Sequence, residues 1–416
     1  MSDTSREFDV VIFGATGFVG ELTARYLAEH APAGTRIALA GRSEAKLEKI
    51  RAGLPTAAKD WPLIVADSDS PASLDAMAAR TRVVATTVGP YLKYGEALLS
   101  AVANAGTDYI DLTGEVPFVR YAIDKYDELA ASTGARVVPA CGYDSIPSDL
   151  GVWALHRRVE ADKAGTLGDT TMVVMGFSGG LSGGTVDTMR VVTELARDKE
   201  QRKVLVNPYA LSSGPNDRPE RRSAPSDTPI EKASKVDPSL TGTIAPFLMA
   251  SYNTRIVRRS DFLLGGAYGP TFSYRETMRV KGNAVTSRIG AGVVAAGLGA
   301  LFGGLSMKPT RRVLDRFLPK PGEGPSEEAR NKGFFKHKVF TTTSTGKRYV
   351  ATVEAQGDPG YKATAMMFGE AALTLALDRG KLADVRGVIT PAVAMGDALT
   401  DRLRAAGMTI EAGPLS

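Results

Sequence analysis

Cysteine is nearly missing from this chain. Cys141 stands alone among 416 residues, so no internal disulfide can form. That scarcity fits a reducing compartment. Histidine is also rare: His30, His156 and His337 lie far apart and match no metal-ligand spacing, so no metal site is expected. A basic stripe is lacking too. The 51 Lys and Arg are interleaved with 46 Asp and Glu, and the net charge of +5 argues against a nucleic-acid partner. The opening "MSDTSREFDV" has neither the basic nor the apolar region of a signal peptide, which places the protein in the cytoplasm as an expectation. No internal repeat is visible.

What is present suffices for two domains with substantial cores. Through residue 150, short apolar runs alternate with helical stretches: "FDVVIFG", "TRIALAG", "PLIVAD", "RVVATTVGP", "DYIDLTGE" and "ARVVPACGYD" read as strands. Strand–helix alternation without hairpin turns predicts an α/β fold, a doubly wound parallel sheet with helices on both faces. Beyond residue 151 the texture changes. "TTMVVMGFSGG", "YNTRIVRRSD", "KHKVFTTTSTG" and "RYVATVEAQG" read as strands of a second α/β domain on a mixed or antiparallel sheet, spanning 151–360. Residues 212–239, rich in Pro, Ser, Asp and Arg, read as a mobile surface excursion. From 361 to 416 helical periodicity returns, broken at "ITPA"; these helices are expected to pack back on the first domain or to stand apart from it.

The stretch "VVIFGATGFVG" (10–20) carries the clearest chemistry. Gly14 permits a tight strand-to-helix turn, Gly17 lets a pyrophosphate approach the backbone, and Gly20 lets the helix pack close. With Ala15, Thr16, Phe18 and Val19 they form a Rossmann-type loop whose helix N-terminus faces the phosphates. An NAD site usually has an acid at the end of the second strand. Here no acid lies between Ile37 and Ser43, and Arg42 stands there instead. Its planar fork of donors suits a 2′-phosphate, with Ser43 and Lys46 nearby, so the predicted cofactor is NADPH. Asp67 closes the third strand, either reaching the adenine edge or forming a turn. Val88, Gly89 and Pro90 follow the fourth, beside the expected nicotinamide half.

The ordered set "GATGFVG", "LAGRS", "TTVGPYLKYG", "GTDYIDLTGE" and "CGYDSIPSDLG", continued through "NTRIVRRS", "PKPGEGPS", "LTLALDRGKL" and "GVITPAVAMGDAL", resembles the saccharopine dehydrogenase-like oxidoreductases. Within them it is most similar to the mycobacterial trans-acting enoyl reductases of lipid biosynthesis. The resemblance covers nearly the whole chain. It implies a Rossmann domain, a second α/β domain, a nicotinamide cofactor and reductase chemistry. In one branch the substrate is an enoyl group on a polyketide chain carried by a partner synthase, which would make the partner here an acyl or lipid-like substrate, free or carrier-bound.

Enoyl reduction needs a carbonyl-polarising donor and a proton for the α-carbon. Tyr91, Lys93 and Tyr94 follow the fourth strand; Tyr143, Asp144, Ser145 and Ser148 follow the sixth. A tyrosine beside a lysine makes a workable acid. Equally, these residues can shape the pocket, and Ser148 or Asp149 can cap a helix. Cys141 has no nearby histidine to activate it and reads as a core residue. The glycine cluster "SGGLSGGT" (178–185) can admit an acyl chain or the nicotinamide, or simply turn. The uncharged tract 289–305, roughly 26 Å long as a helix, is open to three readings: a membrane span, a core element, or a lipid-contacting segment on the inner face of the plasma membrane or lining an acyl tunnel. Arg255, Arg258, Arg259, Arg311 and Arg312 could meet acidic headgroups or a carrier phosphate, or be solvated charges. Two other functions remain open: an opine-type amino-acid dehydrogenase, which should show a carboxylate clamp of arginines, and a non-catalytic NADP-binding protein at a membrane.

Overall fold

The computed structural model describes residues 6–180, 182–212, 224–314, 316–319 and 324–415. The first apolar run forms β1 (Phe8–Phe13), buried along its whole length, as a strand covered on both faces must be. Then follow α1 (Phe18–His30), β2 (Ile37–Gly41), α2 (Glu44–Gly53), β3 (Leu63–Val65), α3 (Pro71–Arg80), β4 (Thr81–Thr86), α4 (Tyr91–Tyr94), α5 (Glu96–Ala105), β5 (Asp108–Ile110), α6 (Val116–Thr133) and β6 (Arg136–Val138). These strands pair in parallel in the order β3-β2-β1-β4-β5-β6. The winding direction reverses between β1 and β4. The loops after all six strands therefore gather along one edge of the sheet, with a crevice at the reversal.

The helix α7 (Ile146–Ala161) carries the chain to the second sheet. Its strands and intervening helices are β7 (Leu167–Ser178), α8 (Gly183–Leu195), α9 (Lys199–Val206), β8 (Glu231–Lys232), β9 (Thr243–Pro246), α10 (Ala250–Leu263), β10 (Ser273–Val280), α11 (Ala284–Ser306), α12 (Lys308–Leu314), α13 (Glu327–Lys332), β11 (Phe334–Thr343) and β12 (Arg348–Gln356). The tail adds α14 (Lys362–Leu377), β13 (Gly387–Val388), α15 (Pro391–Ala405) and β14 (Thr409–Pro414). The second sheet runs β14-β12-β11-β7-β10-β9-β8. It is mixed: β7 and β10 are parallel and the other pairs antiparallel.

The tail stitches the two sheets together. β13 extends the first sheet beside β6, and β14, an element absent from the sequence reading, extends the second beside β12. Between them α14 lies against α1, where a Cβ at Gly369 would come within 2.6 Å of the Tyr26 ring. One apolar core joins Val10, Ile12 and Leu27 to Met367, Phe368 and Leu373 of the tail and to Phe335 and Val353 of the second sheet.

Two local expectations are corrected. "YNTRIVRRSD" is not a strand but most of α10. This helix is buried nearly all round, Arg255, Arg258, Arg259 and Asp261 included, so its charged side mimics a solvent face while lying inside the protein. Its arginines reach backbone carbonyls: Arg255 Nη2 donates to Leu205 O at 2.7 Å, Arg258 Nη2 to Tyr274 O at 2.7 Å and Arg259 Nη1 to Leu211 O at 2.6 Å. These three guanidiniums are buried structural ties, unavailable to headgroups or a carrier phosphate. Arg311 is engaged with Glu194, while Arg312 is exposed. The expected excursion is also shorter. Residues 213–223 lie outside the described residues, but Glu231–Lys232 pairs with β9, and Ala233, Asp237 and Leu240 are buried.

Candidate active site

The loop between β1 and α1 is shaped by three different demands on its glycines. Gly14 has φ +90°, and a Cβ there would lie 2.8 Å from both Thr87 Oγ1 and Val88 Cγ2. A Cβ on Gly20 would lie 2.2 Å from Gly14 O, so only glycine lets α1 sit this close. Gly17 is different: its Cβ would meet only Gly14 O, at 3.3 Å, and the space above it is open. The loop is tied to β2 by Gly14 N and Ala15 N, both donating to Ala40 O. No side chain caps α1. The first-turn amides of a helix have no acceptor within it, which leaves those of half-buried Phe18 and Val19, beside exposed Thr16, for an external group. A pyrophosphate fits this arrangement.

Beyond β2, Arg42 is exposed and has no ion pair or hydrogen bond among the described residues. Its guanidinium is free to take a second anionic group. Ser43 caps α2, its Oγ accepting from Lys46 N at 3.4 Å. Asp67, past β3, builds a turn: its Oδ1 accepts from Asp69 N at 3.1 Å.

The loop after β4 leans on the glycine loop, with Thr87 N donating to Phe13 O at 2.9 Å. Val88 N donates to Thr86 Oγ1 at 3.2 Å, and Gly89–Pro90 follow. Tyr91 is buried. Its hydroxyl donates to Thr86 O at 3.3 Å and accepts from Leu112 N at 3.1 Å, clamping the loops after β4 and β5 together. Lys93 and Tyr94 pair only with each other, the ammonium 4.9 Å from the ring centroid, outside the cavity described below. Sequence reasoning missed the acids that hold these loops. Glu115 accepts from Tyr91 N and Leu92 N at 2.8 and 2.9 Å. Asp111 accepts from Thr113 N and Ala140 N, both at 2.9 Å, and burial pushes its carboxyl up to about 7.

A cavity of about 600 Å³ opens where these loops meet the second sheet. Gly17, Phe18 and Val19 line one end with Thr87, Gly89 and Pro90. Tyr143 and Asp144 stand in the middle. The second glycine cluster (Gly179, Gly180, Gly183 and Gly184) supplies another wall, and Val294, Leu298 and Phe302 of α11 close the far side. The Tyr143 hydroxyl lies 3.0 Å from His337 Nε2. His337 is buried and held neutral, its pKa lowered by desolvation to about 3. Among the described residues no atom partners its Nδ1. Asp144 has no hydrogen bond or cation within the described residues, and burial alone raises its carboxyl to about 7. What surface it retains faces the cavity. Ser145 and Ser148 turn away from the cavity to Asn253, and Asp149 accepts from Ala392 N at 2.8 Å, capping α15 rather than its own helix. Cys141 is buried, with its thiol on Val138 O and its pKa raised by burial.

His337 was unassigned in the sequence, though a signal existed. It falls on the inward face of an alternating strand, between buried Phe335 and Val339. Its partner is 194 residues away in sequence, so no spacing could reveal it.

Fold and site together define a two-sheet nicotinamide oxidoreductase. The saccharopine dehydrogenase NADP-binding domain family matches residues 10–138. Yeast saccharopine dehydrogenase (L-Glu forming, Saccharomyces cerevisiae) shares the fold, with a TM-score of 0.52 at 14% identity over 98% of this chain and 99% of that one. The chain is 46% identical to a trans-acting enoyl reductase of Mycobacterium bovis over all of both proteins. It is 50% identical, over 99% of both, to a Mycobacterium tuberculosis protein to which that same activity is provisionally assigned. The chain therefore belongs to the mycobacterial trans-acting enoyl reductase family, and it is an NADP-dependent oxidoreductase.

Proposed function

We propose that this protein reduces the α,β-unsaturated acyl group of a lipid or polyketide intermediate. The supporting observation is the chemistry of the cavity wall. It holds Phe177, Met189, Val192, Phe247, Met249 and Met278 beside the α11 residues, and no Lys or Arg among the described residues lines it. An amino-acid dehydrogenase must neutralise its substrate's carboxylate, usually with a bidentate arginine. This wall offers none, and suits an acyl chain instead. The relatives' description as trans-acting suggests a substrate presented by a separate synthase.

Bound NADPH supplies the hydride. The glycine loop and the α1 N-terminus hold its phosphates, with Arg42 on the 2′-phosphate. Tyr143 donates to the thioester carbonyl oxygen. A buried acceptor left unpaired costs less than a buried N–H left unpaired. His337 therefore carries its proton on Nε2, donates it to Tyr143 Oη, and frees the phenolic O–H to point at substrate. Asp144, half protonated near neutrality, delivers the proton to the α-carbon. The test is oxidation of NADPH by a short α,β-unsaturated acyl thioester. Turnover with that thioester and none with amino acids plus NADP is expected; the reverse pattern overturns the proposal.

A further inference from the structure

Helix α11 has two apolar faces, and they look in opposite directions. At about 100° per residue, Ser287, Ala291, Val294, Leu298, Phe302 and Leu305 share one side. That side is fixed to the protein: Ser287 Oγ bonds Thr243 Oγ1 at 2.8 Å, and a Cβ on Gly290 would come 2.9 Å from Val280 Cγ1. Val294, Leu298 and Phe302 on this side line the cavity. Roughly half a turn away run Val285, Ile289, Val293, Ala296, Ala300 and Gly303, all exposed. Val285, Ile289 and Val293 are 66%, 64% and 66% exposed. Met307, Val313 and Phe317, beyond the helix in sequence, are exposed as well.

The charge around this face points to its occupant. From residue 281 to 316 the chain has six cations, of which Arg311 pairs with Glu194, and one acid, Asp315. Arg288, Arg312 and Arg316 are exposed and form no ion pair among the described residues. The stripe itself carries no aromatic anchor and no hydrogen-bonding side chain, which a specific protein interface would supply. Apolar side chains rimmed by free cations match an anionic lipid surface. The helix cannot cross the bilayer, because its inner face packs on β9 and β10 through Ser287 and Gly290.

The cavity explains why the helix should lie there. About 600 Å³ is enough for one compact ligand. With the reacting ends of a nicotinamide and an acyl thioester sharing that space, a long chain would extend beyond it. The chain must leave, and α11 is the wall between the cavity and the bare surface.

We propose that α11 rests on an anionic membrane and forms a lateral portal, through which the tail of a long acyl substrate extends from the cavity, past Val294, Leu298 and Phe302, into the lipid. The portal rests on the acyl-reductase reading, whereas the docking does not. The test sediments the full chain with vesicles of phosphatidylcholine plus phosphatidylglycerol, and with phosphatidylcholine alone. Wild type should bind the anionic vesicles, and the double variant Ile289→Glu/Val293→Glu should bind at least tenfold less. In parallel, NADPH oxidation is followed with a short soluble enoyl thioester and with a long-chain one in vesicles. The variant should keep short-chain turnover and lose several-fold on the long chain. Equal vesicle binding by wild type and variant overturns the docking surface, as does a wild-type dimer in solution that the variant dissolves. Vesicle binding with an unchanged long-to-short ratio overturns the portal. Absence of all enoyl turnover, with vesicle binding intact, overturns the reductase reading and the portal with it but leaves the docking standing.

Discussion

Replacing Asp144 with asparagine should make the protein more stable and less active, with both effects set by pH. The carboxyl has no protein partner in the cavity, and burial lifts it from its ordinary 3.8 to about 7. In the unfolded chain it ionises near pH 4. Between those values the folded protein holds a proton that the unfolded chain has released, so stability falls as pH rises from about 4 to about 7 and is level above. The gap between the two ionisation midpoints is worth about 4 kcal/mol at most, less whatever cavity water restores. Asp144→Asn, of equal size and unable to ionise, should remove this decline. Urea unfolding should show variant and wild type alike near pH 4 and the variant more stable by up to that amount at pH 8. Turnover should behave oppositely. Wild-type kcat should drop as pH climbs through about 7, since the donor is the protonated acid. The variant should show a flat profile, lower by roughly 100- to 10,000-fold. A variant that reduces enoyl thioesters at the wild-type rate refutes the proton-donor role. One that gains nothing at pH 8 relative to pH 4 refutes the desolvated-acid argument itself.

Arg42→Ala should weaken NADPH binding about 10- to 100-fold, the loss of charge-assisted hydrogen bonds, and leave NADH affinity unchanged; fluorescence titration that shifts both equally removes the 2′-phosphate contact. Gly20→Ala places a methyl against Gly14 O and should cost about 1–3 kcal/mol by overpacking, read as a lower melting temperature. Gly17→Ala, whose methyl meets only Gly14 O at 3.3 Å, should melt much closer to wild type than Gly20→Ala yet bind NADPH several-fold less tightly; normal binding would show that no phosphate approaches that face. Tyr143→Phe should leave His337 Nε2 unpaired, lowering stability by about 1–3 kcal/mol and kcat as well, with NADPH affinity intact; an unaltered kcat in that variant rules out the carbonyl-polarising role.

The cofactor half of the site was readable because its requirements are local. Gly14, Gly17 and Gly20 meet backbone demands within one turn, and Arg42 is marked by the acid that is missing beside it. Tyr143 and Asp144 were legible as loop residues at the correct sheet edge. Tyr91, Lys93 and Tyr94 belonged to the same reasoning; Tyr91 also lines the cavity, with its hydroxyl tied to the neighbouring loop, but the local backbone gives no hint that the other two lie outside it. Helix α10 escaped because its arginines resemble surface charges until their carbonyl partners are known, and only packing shows that its polar side is buried. The tract 289–305 was visible as apolar, but composition cannot say which face is covered.

From composition and short-range pattern alone, the chain's parallel strands and its glycine turn were legible and a phosphorylated dinucleotide was favoured, since each depends on residues within a few positions of one another. Packing alone decided the rest: the 3.0 Å meeting of Tyr143 with His337, an Asp144 without a partner and a cavity wall without a cation among the described residues, and a helix with one face on that cavity and the other bare. Those features join residues far apart in the chain. Burial, neutral histidine and a raised carboxyl pKa are properties of what surrounds a side chain, not of the side chain itself.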